Sequence, residues 1–133
     1  MWFNALIVGC GGFLGAAARY LLTQFSAVIA CTLTGQDIVR FPVGTFAVNF
    51  IGCVAMGFLA VYLPQRFPEY ARLLLFVTTG CLGGFTTFST FGLDAYKLWT
   101  AGDTGMAVAY VAATLVLCLA GVVAGAAAAR AVA

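Results

Sequence analysis

Four long apolar segments, separated by short polar ones, form the hydropathy pattern of this chain. A helix needs about 20 predominantly apolar residues to cross a bilayer, and each segment is long enough. The pattern therefore predicts four transmembrane helices, at about residues 3–25, 43–63, 70–99 and 104–129. Because these spans fill the sequence, we expect one all-α transmembrane domain over residues 1–133, with little chain outside the membrane.

Composition and charge exclude most other classes of protein. Hydrophobic residues make up 64% of the chain and charged residues 8%, whereas soluble domains carry about 25% charge. A net charge of +2 is too small for a nucleic-acid surface. The absence of His and of any C-x-x-C pair among the five cysteines disfavours zinc and dithiol redox sites. No nucleophile with its base and no carboxylate pair is present, so we expect no enzymatic activity.

The basic residues near the ends of the predicted helices bear on orientation, because positive charge in short loops is kept on the cytoplasmic side. They divide evenly between the two ends of the bundle: Arg66, Arg72 and Arg130 on the side of both termini, and Arg19, Arg40 and Lys97 on the other. With so little bias, copies are expected to insert in both orientations. We predict a dual-topology protein whose subunits pair as an antiparallel homodimer, with a single, weakly biased topology as the alternative.

One side-chain amide, that of Asn49, falls in the middle of the second span. An unpaired amide in hydrocarbon costs several kcal/mol, so this residue needs a partner. Helical spacing places it on a stripe of small and polar residues with Thr45, Gly52, Cys53 and Gly57. Such a stripe is typical both of helix packing and of a ligand site, and the sequence leaves the two open.

Small residues also line one face of the first and fourth spans. Gly11, Gly12 and Gly15 recur at the spacing of a small-residue helix face, as do Gly121 and Gly125. Close helix packing is the better interpretation here, because small residues let helix backbones approach one another in a membrane.

The third span contains an unusual concentration of glycines and hydroxyl side chains. Residues 78–91 include three Gly and six Thr or Ser, and each Gly lowers helix propensity by about 1 kcal/mol. We therefore predict a break in mid-membrane at Gly83–Gly84. Backbone that leaves the helix at this depth must be buried in protein or line a polar cavity. In transporters the carbonyl groups of such backbone commonly hold a cation. A kinked helix whose hydroxyls bond to their own carbonyls is the alternative.

Beyond the predicted break, the helical period separates rings from hydroxyl groups. Phe88 and Phe91 share one stripe, and Thr86, Ser89 and Thr90 lie nearly opposite. Phenyl edges carry partial positive charge, so they can face an anion, although ordinary packing also explains a Phe pair. The fourth span adds possible donors at i, i+4 and i+8, which are Tyr110, Thr114 and Cys118.

No acidic residue lies in the first, second or fourth predicted span, and Asp94 is close to the end of the third. The membrane-embedded carboxylate of a proton-coupled exporter is therefore missing. The remaining inventory of hydrogen-bond donors and phenyl edges, with Arg19 as a possible charge at the mouth of a pathway, fits the passive passage of a small anion. Arg19 is equally well placed to extend its side chain to the membrane interface. A small proton-coupled multidrug-type exporter and a non-transporting membrane assembly subunit are the alternatives.

Three motifs together resemble the CrcB, or Fluc, family of bacterial fluoride channels. They are Gly11-Gly12-x-x-Gly15-Ala16-x-x-Arg19-Tyr20, Gly44-Thr45-x-x-x-Asn49-x-x-Gly52 and Gly80-x-x-Gly83-Gly84-x-Thr86-Thr87-Phe88-Ser89-Thr90-Phe91. The resemblance implies a passive fluoride channel of the bacterial inner membrane that exports cytoplasmic fluoride and so confers fluoride resistance. It also implies an antiparallel homodimer with two pores, each built from both chains.

The resemblance further assigns candidate site residues. Asn49 is expected to donate its amide to fluoride, and Phe88 and Phe91 to coordinate the ion through ring edges. Gly83 and Thr86 are expected to offer backbone carbonyls to one structural Na⁺ at the dimer centre. The remaining positions match the family's hydroxyl face, polar track and arginine, and they are Ser89, Thr90, Tyr110, Thr114 and Arg19. Two positions depart from the family pattern, where a hydroxyl and often a longer Glu are found: Cys118 and Asp94.

Overall fold

The computed structural model describes residues 1–34 and 41–132, and every regular element in this part of the chain is helical. Helices α1 to α5 follow one another: Trp2–Thr34, Val43–Arg66, residues 71–85, Phe88–Thr100 and Thr104–Val132. Helices α3 and α4 together form one span, so four stretches are long and apolar enough to cross a membrane. The prediction of an all-helical chain with four such stretches is confirmed. Arg40, which entered the charge count, lies outside the described residues.

Helices α1, α2 and α5 run beyond their predicted ends, and α5 ends at Val132. Helix α1 continues to Thr34, because residues 26–34 contain neither Gly nor Pro and remain largely apolar. Helix α2 continues past Pro64, since a proline in the last turn interrupts little of the remaining hydrogen-bond ladder. The N–H of Phe67 then closes the helix on the carbonyl of Leu63 at 2.8 Å.

Helix α3 is not a uniform α-helix. Ala71–Leu74 is α-helical, Leu75–Leu82 forms a π-helix, and Gly83–Phe85 returns to α-helical geometry. Because a π-helix bonds residue i to residue i+5, it changes the direction in which the following side chains point relative to a regular helix. The sequence pattern did not predict this segment.

The interruption of the third span lies at Thr86–Thr87, and the prediction that placed it at Gly83–Gly84 is wrong in position. Thr86 (φ −76°, ψ 157°) and Thr87 (φ −149°, ψ 115°) are extended, whereas Gly83 is helical (φ −64°, ψ −37°). Gly84 stays helical because packing uses it: a Cβ on this residue would lie 2.5 Å from the carbonyl oxygen of Gly12 in α1. This close contact outweighs a propensity loss of about 1 kcal/mol per glycine.

Glycines bring α1 directly against α3. A Cβ on Gly11 would meet the backbone of α3 at 2.6 Å, and one on Gly15 would overlap the carbonyl oxygen of Cys81. Both helices therefore approach closely enough for backbone to touch backbone. The predicted packing role of the glycine face of α1 is confirmed.

Helix α2 packs against α1 on one side and, most extensively, against α5 on the other. A Cβ on Gly57 would overlap the backbone of Val122, and one on Gly125 would overlap the backbone of Val54. A Cβ on Gly121 would also lie 3.0 Å from the Val54 side chain, so the predicted packing role of these two α5 glycines is confirmed. The buried side chains include four polar ones: Thr45, Asn49, Thr87 and Thr114.

Candidate functional site

The amide of Asn49 pairs with the interrupted backbone of the third span. Its Nδ2 donates to the carbonyl oxygen of Thr87 at 3.0 Å, and its Oδ1 accepts from the N–H of Thr87 at 2.8 Å. The buried side chain thus supplies hydrogen bonds that the backbone loses where it becomes extended. An amide nitrogen carries two hydrogens, so this pair leaves one N–H of Asn49 unused. The packing interpretation is confirmed, and the ligand role of Asn49 stays a prediction.

The hydroxyl groups beyond the interruption bond to one another. Oγ1 of Thr87 caps α4 by accepting from the N–H of Thr90 at 3.2 Å. The same oxygen donates to Oγ1 of Thr90 at 3.0 Å and lies 3.3 Å from Oγ of Ser89. Thr86 turns back instead and donates to the carbonyl of Leu82 at 3.1 Å. The prediction that Thr86 shares a helix face with Ser89 and Thr90 is therefore wrong, because the extended backbone between them interrupts the helical period.

Three aromatic rings lie together beside the interruption. Phe91 is 7% exposed and lies 5.4 Å, centroid to centroid, from both Phe88 and Tyr110. Phe88 and Phe91 therefore share a side of α4, as the helical period predicts. Phe88 is 79% exposed in the single chain, so one ring of the pair is enclosed and the other faces outward.

Two buried hydroxyl groups on α5 lack a hydrogen-bond partner within the described residues. They are Oη of Tyr110 and Oγ1 of Thr114. An unsatisfied buried polar group costs about 1–3 kcal/mol. Both hydroxyls are therefore suited to bind a ligand or water. These are the first two of the three predicted donors on this helix, and their role as donors to an ion stays a prediction.

Several of these groups meet at one cavity of about 260 Å³ between α2, the interruption and α5. The predicted site residues that line it are Asn49, Thr86, Phe88, Phe91 and Thr114. The rest of its wall comes from Cys53, Thr87, Leu115, Cys118, Leu119 and Val122. A few polar groups thus face an aliphatic and aromatic surface, which is the usual composition of a ligand site. We call this space the central cavity.

A second cavity, of about 340 Å³, lies where α2 begins and includes Thr45, Thr90 and Asp94 in its wall. The hydroxyl of Thr45 donates to Oδ2 of Asp94 at 2.6 Å, which is a short, charge-assisted hydrogen bond. Sequence reasoning missed this pair. The available signal was that Thr45 lies one helical turn before Asn49 on the same stripe.

The remaining predicted residues lie elsewhere. Arg19 is half-buried on α1 and lines neither the central nor the second cavity. The carbonyl of Gly83 lacks its regular helical donor, because the N–H of Thr87 bonds to Asn49 instead. Within the described residues, no three or more His, Cys, Asp or Glu side chains lie together in a group that could hold a metal ion. Cation binding by the carbonyls of Gly83 and Thr86 stays a prediction.

Comparison with known proteins identifies a family and several similar chains. Residues 6–126 match the family described as CrcB-like protein, Camphor Resistance (CrcB). The chain is 46% identical over 120 residues to the fluoride-specific ion channel FluC of Paracoccus denitrificans, covering 90% of this chain and 89% of that one. It is 48% identical over 127 residues to the FluC of Cereibacter sphaeroides (96% and 94% covered). The FluC of Ruminiclostridium cellulolyticum is 39% identical over 123 residues (92% and 88% covered).

Proposed function

The chain belongs to the CrcB-like family, and on this premise we propose that it is a passive, fluoride-selective ion channel that exports cytoplasmic fluoride. Three similar proteins carry the name fluoride-specific ion channel, and each is matched over most of its length. Four stretches long and apolar enough to cross a membrane agree with a multi-pass channel. An ion channel catalyses no covalent reaction, so no enzymatic step is proposed.

The convergence of donors at the central cavity carries the proposal. The second amide N–H of Asn49 and the hydroxyl of Thr114, which has no partner within the described residues, border this space together with the ring of Phe91. A channel must replace the water around its ion without binding that ion too tightly, and fluoride is the most strongly hydrated halide. A few strong donors meet the first demand, and weakly positive ring edges meet the second.

The proposal includes an antiparallel homodimer with two pores, each formed by both chains. In the single chain, four residues near the interruption are exposed: Gly83, Phe88, Ser89 and Thr90. Irregular backbone at membrane depth is tolerated only where protein or a polar cavity covers it, so a second copy is expected to lie over these residues. The even distribution of basic residues supports copies in opposite orientations. In that arrangement the interruption lies in mid-membrane.

A Na⁺ ion at the centre of the dimer is also part of the proposal. Backbone carbonyl oxygens are suitable ligands for hard cations. The Gly83 carbonyl fits this role, since its regular donor is bonded to Asn49. The extended conformation of Thr86 takes its carbonyl out of the helical ladder as well. The positive ion would offset the partial negative charges of these oxygens where the two interrupted spans meet.

Export through such a channel needs no energy input. Hydrogen fluoride crosses the membrane from an acidic medium and dissociates in the more alkaline cytoplasm. The trapped anion then leaves down its electrochemical gradient through the channel in the bacterial inner membrane, which produces fluoride resistance. Arg19, half-buried on α1, would attract the anion at one mouth of the pathway.

Fluoride efflux from proteoliposomes, started with a K⁺ ionophore and followed with a fluoride electrode, tests the proposal. The wild-type protein is expected to release fluoride and to retain chloride. Phe91→Ile, which removes the enclosed ring, is expected to slow fluoride efflux at least about tenfold, a change of about 1.4 kcal/mol, while still eluting as a dimer. Phe13→Ile, at a 75% exposed ring of α1, is the matched control. Equal chloride release, or transport that requires a proton gradient, would contradict the proposal.

A further inference from the structure

Cys53 of α2 and Cys118 of α5 both lie in the wall of the central cavity. Both are free cysteines with intermediate exposure. Two thiols from different helices therefore lie together beside the donors of the candidate ion pathway.

Helix packing holds this pair of thiols in place. Gly57 lies one turn after Cys53, and Val122 lies one turn after Cys118. A Cβ on Gly57 would overlap the backbone of Val122, so the two helices touch backbone to backbone at this level. Because the two helices are in backbone contact one turn away, their backbones are held in place here, and the distance between the two thiols is set by the side-chain rotamers.

The surroundings of the pair select the kind of cation that it can bind. Thiolates are soft ligands that prefer soft metal ions. Within the described residues no third His, Cys, Asp or Glu joins the pair to make a metal-binding group, so a tetrahedral zinc site of four protein ligands is not available. A cation that accepts two ligands in a line fits instead. Hg²⁺ held by two thiolates is electrically neutral, which suits the aliphatic wall formed by Leu115, Leu119 and Val122.

We propose that Cys53 and Cys118 form a two-thiolate site for Hg²⁺, or another soft cation of linear coordination, and that occupancy of this site blocks the ion pathway. Binding converts two thiols and one Hg²⁺ into a neutral bis-thiolate complex and releases two protons to solvent. The metal then occupies the wall beside Asn49 and Thr114 and narrows the cavity. The blocking role rests on the proposed function, whereas metal binding does not.

A variant that keeps only this cysteine pair tests the site. The cysteines outside the pair, Cys10, Cys31 and Cys81, are replaced by Ala, and Cys53→Ser and Cys118→Ser are then added singly. Binding of Hg²⁺ to the purified full chain is measured by thiolate-to-mercury absorption and by intact mass, with Cd²⁺ as the comparison metal. Fluoride efflux is recorded on the same preparations before Hg²⁺, after Hg²⁺ and after a dithiol chelator.

The pair-only protein is expected to bind one Hg²⁺ per chain, with a mass increase equal to the metal less two protons. It should bind Cd²⁺ at least about tenfold more weakly, and its efflux should stop with Hg²⁺ and return with the chelator. Each single Ser variant should bind Hg²⁺ at least about tenfold more weakly, and the Hg²⁺ concentration that stops the parent should leave the variant's efflux at the rate recorded for that variant before Hg²⁺. Unchanged affinity in either Ser variant, or two Hg²⁺ per chain, would overturn the site.

The binding and transport measurements separate this inference from the proposed function. Stoichiometric Hg²⁺ binding to protein that releases no fluoride would support the metal site and reject the channel. Fluoride release from protein that binds Hg²⁺ without any block would overturn the blocking role. Fluoride release with no Hg²⁺ binding would overturn the whole inference and leave the channel in place.

Discussion

The third span packs against α1 and against α2 in different ways. Against α1 it stays helical through Gly83–Gly84, and the contact is bare backbone, with Gly84 and Gly12 too close for a Cβ. Against α2 it leaves the helix at Thr86–Thr87, and the Asn49 amide takes up the backbone N–H and C=O of Thr87. In a membrane every backbone polar group needs a partner. The interruption therefore lies where a neighbour supplies hydrogen bonds, and not where helix propensity is lowest.

The backbone contact between α1 and α3 should be disrupted most severely when α1 gains a side chain. In Gly15→Ala the new Cβ overlaps the carbonyl oxygen of Cys81, and backbone yields less easily than a flexible side chain. We expect the free energy of unfolding to fall by about 3 kcal/mol, measured by SDS titration of purified protein. Gly9→Ala on the same helix, where no atom lies within 4 Å, is the matched control and should not destabilise the protein. Similar losses in both variants would argue against the close contact.

The interruption of the third span depends on one side-chain amide, that of Asn49. The substitution Asn49→Leu is therefore expected to have the next largest effect on stability. The substitution leaves the N–H and C=O of Thr87 without their partner, and we expect unfolding to become easier by about 2 kcal/mol. Hydrogen exchange at the Thr87 amide should accelerate, and fluoride efflux should be lost.

A second amide provides the control for this variant. Asn4→Leu removes an exposed amide near the start of α1 and is expected to leave both stability and exchange at Thr87 unchanged. Undiminished protection of the Thr87 amide in Asn49→Leu would show that the side chain does not support the interrupted backbone.

The smallest change in stability is expected for Thr114→Val, and its sign should be opposite. The hydroxyl of Thr114 is buried without a partner in the described chain, so its removal should stabilise the folded protein by up to about 1 kcal/mol. If the same hydroxyl donates to fluoride, efflux should slow about tenfold, since hydrogen bonds to charged groups contribute about 1.5–3 kcal/mol. Thermal unfolding and electrode recordings measure the two effects. A variant that is less stable and conducts normally would assign Thr114 to packing alone.

Features that repeat along one helix were predictable from the sequence. The glycine faces of α1 and α5 pack as expected, and Phe88 and Phe91 share a side of α4. Each of these features depends only on the helical period, which is the same wherever the helix lies. Among the predicted site residues that line the central cavity, Phe88 and Phe91 belong to the same class, because they lie one turn apart on α4.

Features that depend on a neighbouring helix were not predictable in the same way. The interruption at Thr86–Thr87 requires Asn49 from α2, and the hydrogen bond from Thr45 to Asp94 joins residues 49 positions apart. The π-helix at Leu75–Leu82 lies where α3 packs on α1, and no residue type in that segment signals it.

Apolar segment length and small-residue spacing by themselves determined that this chain is helical, has four potential membrane spans and packs through glycine faces, because these properties follow from local composition and period. The tertiary structure alone decided where the third span is interrupted, which hydroxyls have no partner within the described residues and which cysteines line the same cavity. Those outcomes depend on hydrogen bonds and contacts between residues distant in the chain, and only the packed arrangement brings such residues within bonding distance.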